Sequence, residues 1–429
     1  MLKDQFDNPL STTSESARDA YIKGIDLFLA ADAGVEQAFS EAISADENFA
    51  LAHLALARHW QTIGQGRQAR ITLEPVAALS NDLTTREFSH INAVGLLLEG
   101  KSAESYLAVR SHLLDYPRDA MVAQTCMGVF SLIGFSGKPG REAEHLAFTT
   151  SLAPDYGDNW WFLTQHAFAQ MECGQLGPAE KTIDKALAAK PHNANGAHYR
   201  AHLYYEYGDT ESGYQYLTEW VTKYDKQGLL HCHLHWHIAL WALARGDIET
   251  MWQVVDANIT PSGAWGPSLN VLTDMAALLY RAQLAGVDIP IERWQTVSDY
   301  ALQTFPKPRL AFADVHAALA HAMADNQDPL SRIISDANGP AGDIVKILAG
   351  AFAAIAAEKW ADATAQLLRV MFDHERIGGS RAQRDLIEYA LAQTLLKQGK
   401  TGEAKRMLAM RRPLAADFNA LSGLSNGEL

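Results

Sequence analysis

The stretch WWFLTQHAFAQMECGQLGPAEKTIDKALAAKPHN, residues 160–193, decides the fold. Leu163 and Ala167 mark one face of a first helix, Gly174 ends it, Ala179, Ile183 and Ala186 mark one face of a second, and Pro191 stops that one. Intervals of three and four residues are those of a helix face, and glycine and proline are the residues that end helices. A single helical hairpin cannot bury its apolar faces alone, so such a unit must stack on others like it.

The neighbouring sequence supplies the others. From Ala194 to about Lys226 the chain keeps Ala201, Gly208 and Gly213 at matching offsets, and a third unit has Ala239 and Gly246-Asp247 in the same roles. Weaker units are readable at Thr85 to Asp115, Ala120 to Leu152 and Arg381 to Leu414, the last with Gly399, Gly402 and Ala404 at its turn and second helix. Pro117, Pro154 and Pro191 recur in steps of 37. These are the offsets of a tetratricopeptide hairpin. Nearer the start, Thr12 and Glu15 have capping-box spacing ahead of Ile22, Ile25, Phe28 and Leu29; a second helix is expected from Val35 to Ser44, and the alanines between Leu51 and Ala57 suit close helix crossings. Strand signals are nearly absent. The expected fold is all-α: a tetratricopeptide-like helical-hairpin superhelix, or α-solenoid, with degenerate repeats. It is expected to be one continuous body over 1–429, with its clearest repeats at 85–257, an irregular loop and helix covering the groove at 258–294, and C-terminal helical repeats at 295–429.

Composition narrows the function. The chain has 429 residues and 48% hydrophobic content, with 36 basic against 50 acidic residues and a net charge of −14. Such a balance repels nucleic acid and anionic membrane, and over the whole surface it suits a cationic or neutral small ligand better. Three cysteines without a Cys-x-x-Cys pattern fit a reducing compartment and argue against a disulfide framework or a thiolate zinc finger. With a polar, acidic stretch from Met1 to Asp19 and no long apolar run, a soluble, cytoplasmic protein is expected.

Within this scaffold, His198 and His202 form one i,i+4 pair, and His233 and His237 form another 35 residues later, one repeat period away. Two neighbouring first helices would each present a matched pair to the concave face, with Trp236 and Trp241 near in sequence and His231 and His235 turned away to solvent. An i,i+4 pair spans one helical turn and can chelate a metal ion, so all four imidazoles are candidate ligands for a divalent transition metal: nickel, iron, copper and zinc all accept imidazole. They are also candidates for proton transfer or for anchoring a polar ligand without a metal, and for a buried structural network. No His-Glu-x-x-His motif is present.

Other segments add candidates. Asp314 and His316 lie near a helix start, where aspartate either caps or orients an imidazole. The run Gly378-Gly379-Ser380-Arg381-Ala382-Gln383-Arg384-Asp385 stops one helix and opens another with a Ser-x-x-Gln capping box; Gln383 is explained by the cap, whereas Arg384 is not, and is well placed to pair with a carboxylate ligand or with Asp314. In the loop Pro261-Ser262-Gly263-Ala264-Trp265-Gly266-Pro267, Trp265 is either pinned on a helix end or placed over a groove.

Several stretches together resemble the tetratricopeptide repeat protein 38 family: Leu10-Ser11-Thr12-Thr13-Ser14; Leu83-Thr84-Thr85-Arg86-Glu87 with His90; Ala197-His198 through Ala201-His202; Cys232-His233 through Trp236-His237-Ile238-Ala239-Leu240; Asp314 with His316; and Gly379-Ser380 to Asp385. The likeness reaches from residue 10 to residue 385. Tyr205 departs from it, since the family tends to carry glutamate after the second histidine, and here Glu206 follows one place later. The resemblance implies the fold and the histidine positions, and no reaction.

Two functions compete. One is a binding module whose concave groove, lined by Trp161 and the four histidines with Trp236, Trp265 and Gln383 as further ligand-binding candidates, holds a small polar ligand or a peptide tail. The other is an enzyme in which His198, His202, His233, His237, Asp314, His316 and Arg384 form an acid–base or metal site. A homodimer through the apolar run Met407-Leu408-Ala409-Met410 is a third reading. No nucleophile elbow or phosphate-binding glycine loop is found.

Overall fold

The computed structural model describes residues 1–79, 83–411 and 421–424. Among them are 22 α-helices, and the only bridge of β type pairs Lys3 with Pro9. The fold is all-α, built from tetratricopeptide-like helical hairpins. Contacts divide the chain into two compact units, one of Met1–Gly134, Glu142–Tyr199 and Tyr224–Leu230, the other of Phe135–Arg141, Arg200–Lys223 and His231–Leu429.

The first unit holds α1 (Glu15–Ala30), α2 (Val35–Ala45), α3 (Ala50–Thr62), α4 (Gly66–Leu73), α5 (Thr85–Leu98), α6 (Ser102–Asp115), the one-turn α7 (Ala120–Ala123), nearly all of α8 (Arg141–Tyr156), α9 (Trp160–Glu172) and α10 (Leu176–Ala189). Helix α11 (Ala194–Tyr207) runs unbroken from the first unit into the second. The second unit continues with α12 (Thr210–Val221), α13 (His231–Ala244), α14 (Ile248–Asn258), α15 (Ser268–Leu284), α16 (Ile291–Thr304), α17 (Ala311–Met323), α18 (Gln327–Asp336), α19 (Gly342–Ala356), α20 (Trp360–Val370), α21 (Arg381–Lys397) and α22 (Thr401–Arg411).

The hairpin read from residues 160–193 forms as its residues dictate. Ala179, Ile183 and Ala186 have no exposed surface, and Ala167 has almost none. Gly174 adopts φ +77°, so its N–H turns back to the Met171 carbonyl (2.8 Å) and Gln175 N–H to that of Gln170 (2.9 Å). Only glycine takes this left-handed conformation without strain, and the two bonds satisfy carbonyls that the helix end leaves over. Close crossings depend on missing side chains: a Cβ on Gly213 of α12 would stand 2.5 Å from the Trp241 ring of α13.

Three details differ from the expected pattern. Pro154 lies inside the last turn of α8 rather than after it, where a missing N–H breaks only one bond. Ser14, not Thr12, caps α1: the Ser14 hydroxyl accepts from Ala17 N–H, while the Thr12 hydroxyl donates to Asp46 (2.6 Å). Residues 268–284, expected to help cover a groove, are instead an inner helix, buried on nearly every side among α13, α16, α17 and α21. In the C-terminal repeat, Leu408 packs inward while Met410 is exposed; positions 412–414 of that expected unit lie outside the described residues.

The first unit is more than a stack in which each repeat touches its neighbours. The C-terminal end of α1 is held by residues far along the chain: Asn195 Nδ2 donates to the Leu29 carbonyl (3.0 Å), the Tyr224 hydroxyl to the Ala31 carbonyl, and Lys190 pairs with Asp26. A buried charge hub ties the N-terminal segment to α5 and α6. Asp119 accepts from Arg86 (2.5 Å), His90 Nδ1 (2.9 Å) and His112 Nε2 (3.2 Å), while Arg86 also donates to the Pro9 carbonyl (2.9 Å). Burial alone would raise the Asp119 pKa, but these partners hold it well below the usual carboxylate range.

Candidate functional site

Helix geometry sets the first pair. On α11, His198 stands one turn before His202. On α13, His233 and His237 are likewise one turn apart. The rings of His202 and His237 meet edge-on with centroids 4.6 Å apart, and those of His233 and His237 at 5.1 Å. One nitrogen of each of His198, His202, His233 and His237 lies within 4.8 Å of the others, and all four residues are buried, between 0% and 6% exposed.

A carboxylate that the sequence reading missed completes the cluster. Asp274 of α15, 1% exposed, accepts from His233 Nδ1 at 2.9 and 3.0 Å. This bond orients the His233 ring and fixes its tautomer. Burial raises the pKa of Asp274, and the adjacent His233 pulls it back down. Burial also pushes His202 down to about 3, with His233 adding to the shift. His237 is driven well below its ordinary value by burial, then by His202, His233 and Arg281. Both rings are therefore neutral at physiological pH, the form in which imidazole binds metal. Trp236 stacks on His233 (5.2 Å between centroids, 13° between planes), and its buried indole N–H has no acceptor among the described residues.

The remaining candidates fall elsewhere or take other roles. Trp161, expected to line the groove, is 1% exposed in the aromatic core of the first unit, against Tyr156 (5.5 Å) and Phe6 (6.3 Å). His231 is buried and His235 half-buried, not solvated: their rings lie 4.3 Å apart, and His235 Nδ1 bonds the His231 carbonyl. Trp265 is 49% exposed, and its carbonyl accepts from Cys232 N–H at the start of α13. Asp314 sits in the first turn of α17 without capping it; burial raises its pKa to about 7 against the pull of the Arg309 and Leu310 N–H groups. His316 Nδ1 bonds the Phe312 carbonyl (2.7 Å), and burial lowers its pKa to about 4. Gln383 closes the capping box with Ser380, and Arg384 donates to the Gly379 carbonyl.

Sequence reading also passed over a polar group beside the histidines. The Tyr205 hydroxyl donates to Asp385 (2.7 Å), Arg381 pairs with Glu206 (3.5 Å), and Arg281 lies over the rings of Tyr205 (5.6 Å) and Tyr389 (5.0 Å). A signal for part of it was present: Asp274 and Arg281 are the two charged residues of α15, seven residues apart and so on one face. Charged residues buried that deeply are rare unless something answers them.

Fold and site together define a helical-repeat protein of tetratricopeptide-like class with a buried histidine cluster. No family model matches the chain. Among solved structures it is similar to the human IFIT1 dimer with m7Gppp-AAAA (15% identity over 95% of this chain and 92% of that one, TM-score 0.45) and to yeast Tom70 (14% identity over 94% and 85%, TM-score 0.37). At that level of similarity, what those proteins bind says nothing about this chain. No helix among the described residues is long and apolar enough to cross a membrane.

Proposed function

We propose that this chain is a tetratricopeptide-like binding protein of the tetratricopeptide repeat protein 38 kind, whose four-histidine cluster holds a divalent transition metal ion and, with it, a small polar ligand. The observation that carries the reading is the convergence of four imidazole nitrogens within 4.8 Å. Metal–nitrogen bonds of about 2.0–2.1 Å place tetrahedral ligand atoms roughly 3.3 Å apart, so a small inward adjustment closes the site on an ion. The Asp274–His233 pair supplies the outer-shell carboxylate typical of metal-bound imidazole. Burial of all four rings favours a small ligand over an extended peptide tail.

An enzyme at the same place is the second reading, favoured by the same Asp274–His233 pair, which can hold or pass a proton. An ion with six positions keeps two of them for a substrate after four imidazoles bind, whereas tetrahedral zinc keeps none.

Plasma mass spectrometry of untagged protein, beside the His202→Ala/His237→Ala variant, tests the metal. Near-stoichiometric transition metal lost in a variant of unchanged helix content is the expected result. Wild-type protein that retains no nickel, iron, copper or zinc after loading and dialysis overturns it.

A further inference from the structure

We propose that the ligand of the histidine site carries a carboxylate or a comparable oxyanion, and that Arg281 is its anchor. This rests on reading the cluster as a ligand site and adds the chemical class of the ligand. The net charge of −14 favours cations over the whole surface, but at short range the groups lining the site decide.

Two charges of α15 face the same way, about two turns and roughly 10 Å apart along the axis. One is answered: Asp274 is bonded to His233. The other is not. Arg281 is only 8% exposed, yet among the described residues no carboxylate comes within 4.0 Å of it. Its Nη1 donates to the Ala382 carbonyl at a long 3.4 Å, and it bonds Tyr205. The acid whose charge acts on it, Asp385, accepts from the Tyr205 hydroxyl and forms no ion pair with the guanidinium within 4.0 Å. A guanidinium carries five N–H donors in a planar fork that matches a carboxylate, and the two bonds named leave part of that fork for another acceptor.

Position ties this guanidinium to the histidines. Tyr205, whose ring lies under it, follows His202 by three residues on α11, where side chains at that spacing are neighbours. The Arg281 charge also contributes to keeping His237 neutral. On α13, against the rings of His233 and His237, the Trp236 indole N–H is a buried donor without an acceptor among the described residues. A guanidinium without a carboxylate ion pair and an indole N–H without an acceptor, beside the imidazoles, describe an acceptor-rich, anionic ligand: one oxyanion group on the Arg281 fork, another acceptor near Trp236.

Thermal-shift and calorimetric titrations with succinate, oxalate and inorganic phosphate, at ionic strength matched with chloride, test this on metal-loaded and metal-stripped protein. We expect at least one of these anions to stabilise the wild type beyond chloride, with Arg281→Gln binding it about tenfold to a hundredfold more weakly. Carboxylates acting without phosphate identify a carboxylic acid, and the reverse identifies a phosphorylated ligand. Arg281→Lys keeps the charge without the fork, so it should fold and still bind more weakly; Trp236→Phe keeps the ring without the donor and should weaken binding severalfold. No anion effect on the wild type, or unchanged binding in both arginine variants, overturns the proposal. Bound metal without an anion response defeats this inference alone; an Arg281-dependent response in protein that retains no metal defeats the metal reading alone.

Discussion

His233 Nδ1 lies almost equally far from the two oxygens of Asp274, at 3.0 and 2.9 Å, in a site where both residues are nearly sealed from solvent. One helix thus carries the imidazole and another the carboxylate that orients it. Asp274→Asn keeps the shape and removes the charge. Outer-shell substitutions of this kind typically cost 10–100-fold in metal affinity, and a chelator competition comparing the two proteins should show a loss in that range.

Acid sensitivity follows from the buried imidazoles. His316 and His321 each titrate at about 4 in the folded protein, through burial, against about 6.5 when unfolded. Between those values the unfolded chain binds the extra protons, so stability falls as pH drops from about 6.5 towards 4. Urea midpoints of metal-free protein should decline over that window, and more shallowly in a His316→Asn/His321→Asn variant.

Asp314 acts in the opposite sense. Its folded value of about 7 lies above the ordinary 3.8, so the folded state binds the extra proton and stability falls as pH rises between those values. Asp314→Asn should therefore gain stability relative to wild type at pH 8 and lose that advantage near pH 4, as read from paired thermal melts.

Removing the Asp119 carboxylate strands three buried donors, those of Arg86, His90 and His112. Breaking a buried ionic group from one side typically costs about 3–5 kcal/mol. Denaturant unfolding of Asp119→Ala should show a loss of that order.

At the crossing of α12 and α13, Gly213→Val forces a side chain into the Trp241 ring. Overpacking of a filled interior costs about 1–3 kcal/mol, and near-ultraviolet circular dichroism of the tryptophans should change together with the melting temperature.

Periodicity made the hairpins legible, because a helix face and a left-handed glycine both leave local marks: Ala179, Ile183, Gly174 and Gly208 behave as their spacing implied. The histidine pairs were legible for the same reason, since i,i+4 spacing and one repeat period fix which rings can meet. Asp274 and Arg281 were not read, because their partners lie on other helices and nothing local marks a long-range pair. Trp161 misled because a first-helix position in a repeat does not say which side of the helix the core occupies; here Phe6, from the N-terminal segment, lies against that ring. His231 and His235 misled because α13 is buried on nearly every side, so little of it was left for solvent.

The tether between the end of α1 and the residues around Tyr224 has a consequence for how the protein is made. The Tyr224 hydroxyl reaches back 193 positions to the Ala31 carbonyl. At synthesis rates of about 5–20 residues per second, the first hairpin waits roughly 10–40 s for that partner to leave the ribosome. During the wait, the Leu29 and Ala31 carbonyls at the end of α1 have only water as a partner. The nascent chain begins with an unfinished helix end that is closed only when the middle of the protein arrives.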